Sequence, residues 1–276
     1  MKPPTAAGYG AAQLEQVRSV CLYVATKLAD LRDEWVIIGG LVPSLLIDQQ
    51  RLNAIDRHVS TLDVDLGLQL GILAEEGYRE ITARLREAGF GPDSNEAGKL
   101  VRQRWKHSSA AQATVEFLIP PAAPGQHGGT LQNLEWDFAA VVAPGVDLAF
   151  RDRRLVTLSG TTVLGEAASR DVFVCGPGAY VILKALAFAG RGANKDAYDL
   201  FYVLQHYEGG LTEIAESIRR LNGEQSVTEA LGVLDREFRR VDATGPTRTG
   251  VFLGLETDEL RAQVVGLVDA LLRMVA

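Results

Sequence analysis

The sequence has little cysteine and no long apolar run, and both shortages narrow the class of protein. Cys21 and Cys175 are its two cysteines, and each stands among apolar residues, which argues against a disulfide framework or a thiolate metal site. No stretch approaches the roughly 20 apolar residues of a bilayer span, and residues 1–16 lack the apolar centre of a signal peptide. We therefore expect two buried thiols in a cytoplasmic protein with no membrane partner.

Basic residues are also fewer than acidic ones, with 28 Lys and Arg against 35 Asp and Glu. The formal net charge is −7 and the sequence pI is about 5.2, which argues against a protein that coats nucleic acid through bulk electrostatics. Two basic segments, 102–107 and 151–154, are either a local basic groove or ordinary solvated surface.

The chain is rich enough in apolar residues to form a sizeable core, with 47% hydrophobic content in 276 residues. The pattern of predicted secondary structure changes near residue 175. Before that point, strands and helices are interspersed. After it, helices are separated by glycine stops, and Pro177 suits a first helical turn. We predict an α+β fold in which an N-terminal mixed β-sheet flanked by helices, residues 1–175, precedes a helical domain, residues 176–276.

Hydrophobic periodicity predicts the individual elements. Predicted helices cover 11–31, a segment from near Leu41, 72–90, 179–191, 195–207, 211–221, 227–240 and 256–275. Predicted strands or short β-rich runs cover 35–40, 60–70, 99–106, 113–120, 146–150, 154–160 and 171–176, with a Pro/Gly-rich loop at 120–129.

The stretch "STLDVDLGLQL" at 60–70 places two aspartates on one side of a strand. Successive side chains of a strand alternate between its faces, so Asp63 and Asp65 project together while leucine and valine line the opposite face. Their Cα atoms are then about 7 Å apart, close enough for both carboxylates to bind one Mg²⁺ ion. The alternative is a strand with a solvated front face.

Two further features suit a phosphate-containing substrate. In "VIIGGLVPSLL" a buried strand ends at Gly39 and Gly40 and a helix begins, so backbone amides could approach an anion there, although Gly-Gly is most often a tight turn. Glu116 alternates against Val115 and Phe117, and if its strand lies beside the aspartate strand, the three acids could share two metal ions. Taken alone, Glu116 is more often a surface residue.

A basic and acidic cluster follows in "YVILKALAFAGRGANKDAYDL". Lys184 falls in an apolar helix, so its ammonium group either reaches solvent or faces an anion such as a triphosphate. Arg191, Lys195, Asp196 and Asp199 come after it, and Asp196 also suits the start of the next helix.

These residues resemble the nucleotidyltransferases of DNA polymerase β type, and within them the AbiEii-like toxins of type IV toxin–antitoxin systems. The matching elements are Gly-Gly at 39–40, "TLDVDL" at 61–66, "RW" at 104–105 before "VEFLIP", and "LKALAF…R…KDAYDL" at 183–200. Gly40 stands where the family usually has serine, and Glu116 where it commonly has aspartate.

The resemblance implies an active site in the cleft between the two domains. Its catalytic residues would be Asp63, Asp65, Lys184 and Asp196; its nucleotide-binding residues Gly39, Gly40, Ser44, Lys184, Arg191 and Lys195; its metal ligands Asp63, Asp65 and Glu116. Mg²⁺ is the implied cofactor, with Mn²⁺ as its substitute.

The implied activity is transfer of NMP from an NTP to an acceptor hydroxyl, and the acceptor expected from the resemblance is the 3′ end of tRNA. Such transfer would inhibit translation and growth, and a cognate antitoxin would be a further partner. Two alternatives stay open: a nucleotidyltransferase acting on an antibiotic or a protein side chain, and a nucleotide-binding module without catalysis.

Overall fold

The protein is described from a computed structural model that covers residues 3–59, 61–69, 77–110, 112–123 and 126–276. The predicted fold class is confirmed, because a mixed sheet with flanking helices is followed by a helical C-terminal region. The predicted Pro177 helix start is also present: Gly176 is the N-cap and Pro177 opens the helix.

Nine described strands form one sheet, with the order β3-β4-β5-β2-β1-β9-β8 and with β7 joining β5 to β6. Their bounds are β1 Trp35–Ile38, β2 Asp63–Leu68, β3 Phe90–Ser94, β4 Leu100–His107, β5 Thr114–Ile119, β6 Leu131–Asn133, β7 Ala139–Val142, β8 Arg153–Thr161 and β9 Ala167–Cys175. The sheet is mixed because β2 runs antiparallel to β1 and parallel to β5.

Four of the described α-helices precede residue 176 and six follow it. They are α1 Ala11–Lys27, α2 Val42–Leu46, α3 Tyr78–Glu87, α4 Leu148–Arg151, α5 Pro177–Arg191, α6 Asn194–His206, α7 Gly210–Arg220, α8 Gln225–Phe238, α9 Thr244–Leu253 and α10 Asp258–Val275. In these ranges no helix combines the length and the apolar character that a membrane crossing requires.

The chain forms two compact units. The sheet unit contains Ala11–Val42 and Ser60–Cys175, and the helical unit contains Met1–Gly10, Pro43–Val59 and Gly176–Ala276. The domain limits expected from the sequence, 1–175 and 176–276, stay a prediction.

Apolar side chains on one face of the sheet make the core of the sheet unit. Val64 and Leu66 of β2 and Val115 and Phe117 of β5 are fully buried. Phe117 lies edge-on to Trp105 of β4, with ring centroids 5.9 Å apart. Burial of this face directs the intervening polar residues of β2 and β5 to the opposite face.

Some sequence predictions were wrong or incomplete. Residues 146–150, predicted as β-rich, contain the turn after Gly145 and the start of α4, because amide groups at 148 and 149 donate to carbonyl groups three residues earlier. A run of five residues cannot distinguish the two periods. The opening helix ends at Lys27 rather than near residue 31, where a 3₁₀ segment, Ala29–Glu34, follows.

Helix α9 was missed because its sequence contains two glycines and a proline, which have low helix propensity. Pro246 nevertheless lies in its first turn, where proline is tolerated. The short strands β3 and β6 were also missed. Residues 72–76 of the predicted helix 72–90, together with positions 60 and 70 of the predicted strand, lie outside the described residues.

Candidate active site

Strands β2 and β5 bring three carboxylates together. They are parallel neighbours in which Asp65 is paired with Glu116 and Asp63 with Thr114. Each of Asp63, Asp65 and Glu116 offers an oxygen atom, and these atoms all lie within 4.8 Å of one another. We call these three residues the carboxylate cluster. Three converging carboxylates could bind a metal ion, and an all-oxygen donor set fits a hard cation such as Mg²⁺.

Gly39 packs directly against Asp65. Strand β1 places Ile38 opposite Asp65. A 3₁₀ segment begins at the next residue, Gly39, whose φ is 72°. A Cβ atom at Gly39 would lie 1.8 Å from Oδ2 of Asp65. Only glycine combines this backbone conformation with so close an approach, so Gly39 is required for the position of the Asp65 carboxylate.

Thr61 holds the other aspartate. Its hydroxyl donates a hydrogen bond of 2.7 Å to Oδ1 of Asp63, which is 2% exposed. Sequence reasoning missed Thr61, although it stands two positions before Asp63, the spacing at which strand side chains share a face. The hydrogen bond restricts the orientation of the buried Asp63 carboxylate, which is one of the three in the carboxylate cluster.

Gly40 and Ser44, which are predicted together with Gly39 as nucleotide-binding residues, are buried. Gly40 lies in the 3₁₀ segment Gly39–Leu41, and α2 begins at Val42, one residue later than expected. Ser44 lies in α2 and is 7% exposed. Gly39 and Gly40 belong to the sheet unit and Ser44 to the helical unit, and phosphate binding by this segment stays a prediction.

In the helical unit, the ammonium group of Lys184 is paired with two protein carboxylates. Its ammonium group donates to Oδ1 of Asp196 at 3.0 Å and to Oδ2 of Asp199 at 2.7 Å. Burial lowers the pKa of Lys184, but the two carboxylates outweigh this effect and the pKa is raised. The anion expected to face Lys184 is therefore supplied by the protein itself, and triphosphate binding by Lys184 stays a prediction.

Arg191 and Lys195 bind the same two aspartates. The guanidinium of Arg191 donates through Nε at 2.6 Å and Nη2 at 2.8 Å to the two oxygens of Asp196. Asp196 lies in the first turn of α6, as its sequence position suggested, although the N-cap itself is Ala193. Lys195 donates to Oδ1 of Asp199 at 2.7 Å, and its pKa is lowered because burial outweighs that carboxylate.

His58 completes this cluster and was not anticipated from the sequence. Its Nε2 lies 2.9 Å from Oδ1 of Asp199, 141 positions away, and its ring stacks on Tyr198 with centroids 5.5 Å apart. Burial lowers the pKa of His58 to about 4, so the ring is neutral near pH 7 and Nε2–H donates to the ionised Asp199. No local pattern around a single histidine indicates such a contact.

The two basic segments are engaged in ion pairs. Arg104 and Lys106 of segment 102–107 both contact Asp93. In segment 151–154, Arg153 lies 3.7 Å from the ring centroid of Phe173 and also contacts Asp33, and Arg154 contacts Asp152.

These findings define an α+β protein in which the carboxylate cluster is a candidate cation site on the sheet. The helical unit contains a buried ion-pair cluster, formed by His58, Lys184, Arg191, Lys195, Asp196 and Asp199. No protein-family model and no curated protein matches the chain. Among solved structures, it is similar to the crystal structure of an antigenic nucleotidyltransferase-like protein from Paracoccidioides brasiliensis, with 17% identity over 82% of this chain and 88% of that chain and a TM-score of 0.47. A likeness at this level identifies neither the family nor the activity of this chain.

Proposed function

We propose that the chain is a metal-dependent nucleotidyltransferase that moves NMP from an NTP to an acceptor hydroxyl, with tRNA as the preferred acceptor. The observation that carries the proposal is the convergence of Asp63, Asp65 and Glu116 within 4.8 Å. Like charges held this close repel one another unless a cation binds between them, and phosphoryl transfer is the reaction class that most often uses such a cation.

In this proposal the acceptor hydroxyl gives up its proton to solvent water, and its oxygen forms a bond to the α-phosphorus. The bond that joins the α-phosphorus to pyrophosphate breaks, and pyrophosphate leaves. Mg²⁺, when bound, neutralises phosphate charge and favours ionisation of the attacking hydroxyl. Asp63, Asp65 and Glu116 would hold the ion. Thr61 and Gly39 would keep two of these carboxylates in position.

The choice of acceptor is supported by the resemblance of the Asp-x-Asp strand and the "KDAYDL" element to AbiEii-like toxins. On that basis the chain would act in the cytoplasm as a growth-inhibiting toxin with a cognate antitoxin. Lys184, Asp196, Arg191 and Lys195 are proposed to assist NTP binding or catalysis, together with Gly40 and Ser44.

The test is incubation of the purified protein with total tRNA, Mg²⁺ and each α-³²P-labelled NTP in turn, followed by gel separation of the RNA. We expect label on tRNA with the wild-type chain and none with Asp65→Asn. Glu96→Gln is the matched control, because Glu96 is exposed in the turn between β3 and β4. An unlabelled gel for all four nucleotides would reject tRNA as acceptor.

If tRNA stays unlabelled, the same labelled nucleotides are offered with aminoglycosides and with a cell protein extract. Label on either would reassign the acceptor. Calorimetric NTP binding without transfer to any acceptor, in Mg²⁺ or Mn²⁺, would reject the enzyme and leave a nucleotide-binding module.

A further inference from the structure

Two cationic side chains of β4 lie on the same face of the sheet as the carboxylate cluster. In the antiparallel pair β4–β5, Arg104 is opposite Glu116 and Lys106 is opposite Thr114. Directly opposite residues of a strand pair project to the same face. The aspartates of β2 are paired with the same two β5 residues, so the cations and the carboxylate cluster share one face.

Strand spacing sets the separation between these groups. Neighbouring strands are about 4.8 Å apart, so the backbone at Arg104 is about 5 Å from that at Glu116 and about 10 Å from that at Asp65. The intervening residue, Trp105, is fully buried on the opposite face. Strand β4 thus directs its aromatic residue to the core and its two cationic residues to the face of the sheet that carries the carboxylate cluster.

Asp93 holds both cations. Arg104 donates to its Oδ2 through Nε at 2.9 Å, and the ammonium of Lys106 lies 2.6 Å from its Oδ1. Burial raises the pKa of Asp93, but the hydrogen bonds from Lys106, Ser94 and Arg104 outweigh it and the pKa is lowered. Two cations therefore share one ionised carboxylate, while their side chains stay 35% and 43% exposed.

We propose that Arg104 and Lys106, positioned by Asp93, bind a phosphate group of a substrate beside the carboxylate cluster. The inference rests on the proposed function, since it assigns a subsite of the same site. A guanidinium group binds phosphate oxygens in a bidentate manner, and an ammonium group adds a point charge. The phosphate has two sources, the triphosphate of the NTP and the sugar–phosphate backbone of the RNA acceptor.

Equilibrium binding distinguishes the two sources. Inorganic tripolyphosphate with Mg²⁺ is titrated by calorimetry, and total tRNA by fluorescence anisotropy at several salt concentrations, on the wild-type chain and on Arg104→Gln/Lys106→Gln. For a triphosphate site, we expect tripolyphosphate binding to weaken about tenfold. For an RNA site, we expect tRNA binding to weaken and its slope against log salt to fall by about 1 to 2.

The control double variant Arg170→Gln/Arg236→Gln removes the same formal charge from β9 and α8. Because loss of both cations leaves Asp93 without its partners, a second variant adds Asp93→Asn, and thermal unfolding checks that each variant is folded. The inference is overturned if the wild-type chain binds neither probe. It is also overturned if the site variants and the control variant bind each probe with the same affinity. Both binding measurements are independent of turnover. If NMP transfer fails but the site variants lose binding and the control variant does not, the proposed function is rejected and the phosphate site is retained.

Discussion

Gly39 lies so close to Asp65 that it can carry no side chain, since a Cβ atom at Gly39 would lie 1.8 Å from Oδ2 of Asp65. Gly39→Ala should therefore displace the carboxylate as well as strain the backbone at φ of 72°. Gly98→Ala is the matched control, because Gly98 has φ of 74° with nothing near its Cβ position.

We expect both alanine variants to lose about 1–2 kcal/mol of unfolding free energy from the backbone alone. Only Gly39→Ala should also lose Mn²⁺ binding, measured by electron paramagnetic resonance titration. Equal Mn²⁺ affinity in the two variants would contradict a role for Gly39 in positioning Asp65.

Thr61→Val tests the hydrogen bond that orients Asp63. The substitution keeps the side-chain shape and removes the 2.7 Å hydrogen bond. Groups that orient metal ligands typically contribute about 10–100-fold to metal affinity, and we expect a loss at the low end of that range in a Mn²⁺ titration. Thr157→Val is the control, because Thr157 donates an equally short hydrogen bond to the exposed Asp171. A loss of the same size in both variants would reject a specific role for Thr61.

Lys184→Met tests the buried ion-pair cluster. The change removes the cation shared by Asp196 and Asp199 and leaves both carboxylates buried. Removing one partner of a buried ion pair costs about 3–5 kcal/mol, so urea denaturation should give an unfolding free energy lower by that order. Lys99→Met, at an exposed position, should change it by less than about 0.5 kcal/mol. A loss below about 1 kcal/mol for Lys184→Met would contradict a stabilising role.

The lowered pKa of the buried His58 ring should make the unfolding free energy depend on pH. Its pKa in the folded chain is about 4, below the value of about 6.5 expected when unfolded. Between these values the unfolded chain binds a proton that the folded chain does not, so stability falls as pH decreases from about 6.5 to 4. At pH 5 the loss attributable to His58 should be about 2 kcal/mol relative to pH 7.

The measurement is urea denaturation at pH 7 and pH 5 for the wild-type chain and for His58→Gln, which cannot titrate. We expect the difference between the two pH values to shrink in the variant. His127→Gln, which replaces an exposed histidine, is the control and should retain it. An unchanged difference in His58→Gln would contradict a neutral buried ring.

Much of the local structure was predictable from short-range pattern. The alternation in residues 63–68 predicted a strand with two aspartates on one face, because strand periodicity is a local property. The run of helices after Pro177 followed from apolar spacing and glycine stops. Residues 146–150 and helix α9 were missed where the run was too short or the helix propensity too low for the pattern to decide.

The alternation of apolar and polar residues in β2 and β5 is enough to show which side chains project away from the core, and hence that Asp63, Asp65 and Glu116 are available for a site. The position of β5 beside β2, with Glu116 opposite Asp65, and the contact of His58 with Asp199 become evident only in the folded chain. Strand order and register depend on contacts between residues far apart in the chain, whose free energy no local propensity encodes.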